Sequence, residues 1–119
     1  MANELALSAT LRFSSGNYLV ERQYSGLFTV TGTDMTTGTQ LIGTSEEALA
    51  FSADIATPGY LFVKNMDATN YVEIRNATGA ASTIKLKAGE FALFRISGTA
   101  PYAIANTAAC RIEFVVIED

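Results

Sequence analysis

Apolar side chains recur at every second position along most of this chain. Over residues 4–13, Leu5, Leu7, Ala9, Leu11 and Phe13 alternate with Glu4, Ala6, Ser8, Thr10 and Arg12, as a strand with one covered face requires. Ser14-Ser15-Gly16-Asn17 breaks the pattern, and strand-like segments follow at 18–22, 26–33 and 40–44. The Thr/Gly-rich tract 32–38 between the last two reads as the most polar and most mobile loop. Ser45, Glu46 and Glu47 have the composition of a cap on one helical turn. Leu49, Phe51, Ala53 and Ile55 then alternate with Ala50, Ser52 and Asp54, which predicts a strand ended by the turn Thr57-Pro58-Gly59. Six more runs occupy 60–65, 71–75, 83–87, 91–96, 102–105 and 111–117, with turn material at 66–70, 76–81, 88–90, 97–101 and 106–109. Short strands at this spacing, with no sustained helical period, predict an all-β fold. We expect a single antiparallel β-sandwich domain over 1–119, jelly-roll-like, with about nine to ten strands.

The strands differ in how many of their faces are apolar. In 83–87, Ile84 and Leu86 lie on one side and Lys85 and Lys87 on the other; in 71–75, Val72 and Ile74 oppose Tyr71, Glu73 and Arg75. These are ordinary half-wet strands. By contrast Tyr60-Leu61-Phe62-Val63, Phe91-Ala92-Leu93-Phe94 and Phe114-Val115-Val116-Ile117 are apolar on both sides. A two-layer sandwich covers one face of each sheet. The second faces therefore call for another subunit, or for loops and strand ends that cover them. We take Tyr60, Phe62, Phe91, Leu93, Val115 and Ile117 as the candidate subunit interface.

Composition removes most chemistry. The 119 residues include no His and one Cys, Cys110, so there is no imidazole base or ligand and no internal disulfide. Charged residues make up 17% of the chain, against about 25% in an average domain, and mean hydropathy is positive at +0.22. The balance of 8 Lys and Arg against 12 Asp and Glu argues against binding a phosphate backbone. No apolar run approaches the roughly 18 residues of a membrane helix. The start of the chain, with acidic Glu4 and no basic region, does not read as a signal peptide. The sequon Asn76-Ala77-Thr78 carries no weight without a secretory route.

Acid/base catalysis would have to rest on carboxylates. Glu46 and Glu47 diverge on a strand, and Asp34, Asp54, Asp67, Glu73 and Glu90 are scattered, so no catalytic pair is expected and the chain reads as non-enzymatic. Asp67 to Asn70 supplies turn oxygens but no calcium-loop pattern, and an Asx turn is expected instead. No metal site and no cofactor is expected, since phosphate-binding, dinucleotide and nucleophile-elbow motifs are all missing. Arg111 beside Cys110 is the setting of a lowered thiol pKa, but Cys110 reads as a small residue at a strand start. The tyrosines Tyr18, Tyr24, Tyr60, Tyr71 and Tyr102 leave a carbohydrate- or receptor-binding module as an alternative.

The succession Glu47-Ala48-Leu49, Ala53-Asp54-Ile55, Pro58-Gly59-Tyr60-Leu61, the run Lys64 to Val72, Leu86-Lys87-Ala88-Gly89-Glu90, Tyr102 to Thr107 and Glu113 to Glu118 resembles small β-sandwich virion structural proteins of tailed bacteriophages. The resemblance covers roughly residues 46–118 and rests on turn and strand patterns. It implies a virion protein made in the host cytoplasm, most concretely a capsid decoration or cement protein whose partners are the major capsid protein or other virion proteins. A tail, neck or fibre component is the alternative location. A homo-oligomer, dimer or trimer, using the apolar second faces is expected, with neither nucleic acid nor membrane as a partner.

Overall fold

A computed structural model of the protein describes residues 3–97 and 99–119. Met1, Ala2 and Gly98, the last within the expected turn at 97–101, lie outside the described residues. The chain forms two compact units, Met1–Thr31 and Gly32–Asp119. The sandwich expected across the whole length is built by the second.

The first unit is a hairpin of β1 (Leu5–Ser15) and β2 (Tyr18–Phe28), paired in register along their full length. Gly16 and Asn17 make the two-residue turn, and Gly16 holds φ at 56°, the left-handed value that such a turn requires and that glycine adopts without cost. The expected break between 18–22 and 26–33 does not occur. Gln23, Tyr24 and Ser25 pair with Thr10, Ala9 and Ser8, so one continuous strand replaces two.

The second unit contains β3 (Met35–Ile42), β4 (Glu47–Ala48), β5 (Pro58–Asn65), β6 (Val72–Arg75), β7 (Ile84–Leu86), β8 (Phe91–Arg95), β9 (Tyr102–Ala105) and β10 (Cys110–Glu118). They form two four-stranded antiparallel sheets, ordered β3-β10-β5-β8 and β4-β9-β6-β7, packed as a β-sandwich. Pairing is nested: β3 meets β10, β4 meets β9, β5 meets β8 and β6 meets β7. Leu61, Val63, Ile112, Val116 and Val72 are fully buried between the sheets, each stabilising the fold by about 1.5–3 kcal/mol.

Further expected features change in the second unit. The tract 32–38 is not wholly a loop, because Met35, Thr36, Thr37 and Gly38 pair with Ile117, Val116, Val115 and Phe114 at the start of β3. β-Branched threonines suit that ladder. Residues 49–55 form no strand. Their backbone bonds go elsewhere: Leu49 N–H to the Pro101 carbonyl at 3.0 Å, Ala50 N–H to Gln40 Oε1 at 2.8 Å and Ser52 N–H to Thr36 Oγ1 at 3.2 Å. Leu49 and Ile55 are buried and the Phe51 ring meets Phe114 at 5.7 Å, so the alternation reports core contacts made by an irregular segment. The helical turn at 45–48 is also replaced, by a bend at Ser45 and the short strand β4 paired with β9, while Glu46 accepts from Arg75 and Gly79 and Glu47 accepts from Gln40 and Gly43.

Pro58 and Gly59 open β5 instead of forming a turn, a first-strand position where proline loses no needed ladder bond. A Cβ on Gly59 would stand 2.5 Å from Asp119 Cβ and 3.2 Å from the Ile117 carbonyl oxygen. Asn65, fully buried, closes the opposite end of β5. Its Nδ2 donates to the carbonyls of Asn70 at 2.9 Å and Leu86 at 3.0 Å, and its Oδ1 accepts the Asp67 N–H at 2.9 Å. One side chain thus ties β5, the 66–70 loop and β7 together. Chemical denaturation will show Asn65→Ala less stable by roughly 2–3 kcal/mol, because three backbone groups lose their buried partner. Gly59→Ala will be destabilised by roughly 1–3 kcal/mol through the forced shift of residues 117–119.

Candidate functional site

Opposed residues of neighbouring strands share a face, so the register of β3-β10-β5-β8 sets what its outer face displays. One row across the sheet reads Met35, Ile117, Tyr60, Arg95, and the next reads Thr37, Val115, Phe62, Leu93. The third reads Thr39, Glu113, Lys64, Phe91. All six residues singled out as a candidate interface, Tyr60, Phe62, Phe91, Leu93, Val115 and Ile117, therefore come together on one surface. Phe91 and Leu93 are 67% and 42% exposed, and the other four are half-buried by their neighbours in the sheet.

The rings of Phe62 and Phe91 lie 6.3 Å apart, within the range of a favourable aromatic pair. At one border the Arg95 guanidinium sits 4.6 Å from the centroid of the Tyr60 ring and pairs with Asp119. Hydrogen bonding to Asp119, and then to Tyr60, holds the Arg95 pKa above its ordinary value. At the other border Glu113 stands opposite Lys64, with Arg111 beyond. The surface thus has an apolar centre and a charged rim, the anatomy of a protein interface.

The outer face of β4-β9-β6-β7 is different. Its rows pair Tyr102 with Arg75, and Ile104 with Glu73 and then Lys85. Lys85 lies 4.0 Å above the Tyr71 ring, and Arg75 bonds Glu46 at 3.1 Å. This face is suited to water. The sandwich accordingly has one apolar and one charged exterior.

The sequence reading missed Met35 and Leu41, 63% and 52% exposed, which extend the apolar face along β3. The alternation of Met35, Thr37, Thr39 and Leu41 was the available signal, masked by the Thr/Gly composition. Among the tyrosines, Tyr18 and Tyr24 belong to the hairpin, Tyr60 to the apolar face, and Tyr71 and Tyr102 to the charged one.

Carboxylates mostly anchor backbone. Asp67 Oδ2 accepts the N–H groups of Thr69 at 2.9 Å and Asn70 at 2.6 Å, the expected Asx turn, and the Asn70 bond followed by the Thr69 bond lowers its pKa. Glu118, next to the apolar face, accepts the N–H of Ala56 at 2.7 Å and of Thr33 at 3.0 Å. Those two bonds lower its pKa. Cys110 starts β10 as a fully buried residue, and burial pushes its thiol pKa up. Among the described residues, no three His, Cys, Asp or Glu side chains group closely enough to hold a metal ion.

Comparison with family models, with characterised proteins and with solved structures gives no match.

Two outcomes test this description. Phe91→Ser and Leu93→Ser will each cost the isolated chain less than about 1 kcal/mol, whereas Leu61→Ala on the inner face will cost about 2–5 kcal/mol in denaturant melts. The lowered folded-state pKa of Glu118 means that its contribution is complete above the unfolded value of about 4.3 and is lost as pH falls through the folded value. Glu118→Gln will therefore show a shallower loss of stability on acidification than the parent chain, measured as the melting temperature from pH 7 down to about 3.

Proposed function

We propose that this chain is a non-enzymatic virion structural protein, most concretely a capsid decoration protein that strengthens a phage shell by docking the outer face of β3-β10-β5-β8 on the major capsid protein. The observation that carries the reading is the gathering of Tyr60, Phe62, Phe91, Leu93, Val115 and Ile117 into one apolar surface with a charged rim, while the opposite exterior presents Glu73, Arg75 and Lys85. Such a module has a side to bury and a side to leave in water. The resemblance of residues 46–118 to phage β-sandwich virion proteins gives the surface its partner. The nested strand order reads as a jelly roll in this proposal, a closed two-sheet form that leaves short edges and suits a building block.

Mechanistically, no bond need be made or broken. A protein that binds the assembled shell better than its free subunits shifts the assembly equilibrium by mass action, so each apolar contact formed on the shell adds to the work of taking it apart. Phe62 in the middle of the face and the exposed Phe91 beside it are the aromatic anchors, and Arg95, Lys64 and Glu113 orient the approach. Made in the host cytoplasm, the protein would act only once a shell surface exists.

Co-sedimentation with empty shells lacking this protein is the test. The parent chain will pellet with shells and raise their dissociation temperature, and Phe91→Glu with Leu93→Glu will weaken binding by at least about 100-fold. Labelled protein found on tails instead of shells would assign it to the tail, neck or fibre.

A further inference from the structure

The hairpin of β1 and β2 carries an apolar face that two strands have no means of covering. Its register sets Leu7 beside Gly26, Leu11 beside Arg22 and Phe13 beside Val20 on one side. The other side is polar along its middle, with Ser8 beside Ser25, Thr10 beside Gln23 and Arg12 beside Glu21, the last an ion pair at 3.5 Å, and carries the exposed Leu19 and Leu27 only at its two ends. On the apolar side Leu11, Phe13, Tyr18 and Tyr24 are 61%, 54%, 75% and 73% exposed. A lone two-stranded hairpin is marginal in water unless its apolar face is packed.

We propose that this face is a self-association surface, on which the hairpin of one copy packs face to face against the hairpin of a second copy of this chain. Area supports this occupant. With Val20 and Phe28, these four side chains offer on the order of 600–700 Å² of exposed surface, close to the roughly 800 Å² per partner of a stable interface. Charge supports it as well. Residues 1–31 hold Glu4 and Glu21 against Arg12 and Arg22, so the whole formal −4 belongs to residues 32–119. Hairpins of two copies therefore meet without net repulsion, whereas a nucleic acid or an anionic surface would find one cation, Arg22, on the apolar side. Two such ribbons stacked face to face make a four-stranded, two-layer unit of ordinary sheet-packing geometry. The contact is isologous, each copy offering the same patch.

This inference is independent of the shell-docking reading, because it uses different residues. Light scattering on the full chain over a concentration series will give a multiple of 12.7 kDa. Phe13→Glu with Tyr24→Glu will weaken association by roughly 100-fold or more, while Thr10→Glu on the opposite side will leave it unchanged. Protection of buried Cys110 from a thiol reagent reports that the sandwich of each variant is folded. As a second measurement, Ala9→Cys, which puts a thiol on the apolar side opposite Tyr24, will give a covalent dimer on a denaturing gel with a bis-maleimide long enough to span two sheets packed about 10 Å apart. A parent chain that stays at 12.7 kDa throughout overturns the proposal. So does an oligomer that survives Phe13→Glu with Tyr24→Glu, or one that is lost only with Phe91→Glu and Leu93→Glu, which would move self-association to the sandwich face.

Discussion

A sheet has two faces and a sandwich has two layers, so every strand of the second unit finds cover on one side only. This constraint organises the rest of the molecule. It sorts β5 into Leu61, Val63 and Asn65 within and Tyr60, Phe62 and Lys64 without, and β10 into Ile112, Phe114 and Val116 within and Arg111, Glu113, Val115 and Ile117 without. Once the inner set is buried, the outer set has no choice of surroundings within its own layer. Where that set is charged, as on β6 and β7, water satisfies it. Where it is Tyr60, Phe62, Leu93, Val115 and Ile117, water does not.

Nested pairing puts the ends of the chain segments together and leaves loops whose backbone cannot join a ladder. Side chains take over there. Gln40 bonds Glu47, Ala48 and Ala50, Glu118 holds Ala56 and Thr33, and Asn65 holds Asn70, Leu86 and Asp67. Each is a polar residue in a strand whose side chain bonds backbone of a segment outside its own ladder. Two of the carboxylates outside these strands bond backbone in the same way, Glu46 at Gly79 besides its pairing with Arg75, and Asp67 within its own turn.

The all-β class and the inward residues were legible because alternation is a property of the backbone itself: successive side chains point to opposite sides whatever the strand pairs with. Positions 60–65, 102–105 and 111–117 fell close to the observed strands for that reason. Legibility failed where local composition and tertiary pairing disagreed. The Thr/Gly run at 35–38 looked like a loop until β10 supplied its ladder, and the alternation of Leu49, Phe51 and Ile55 looked like a strand although no neighbour pairs with it. In the hairpin, the polar Gln23 and Ser25 hid a continuous strand because they lie on its solvated side.

By itself the amino-acid order determined that Tyr60, Phe62, Phe91, Leu93, Val115 and Ile117 stand on second, apolar faces. Period two is enough to say that each of these strands is apolar on both of its faces. Only the tertiary structure decided that the three strands lie side by side with β10 next to β5 and β5 next to β8, turning six separated residues into one surface, and that residues 5–28 stand as a hairpin unit of their own. The reason is that a strand's pattern is local, whereas its neighbours are chosen by register and layer packing between residues far apart in the chain.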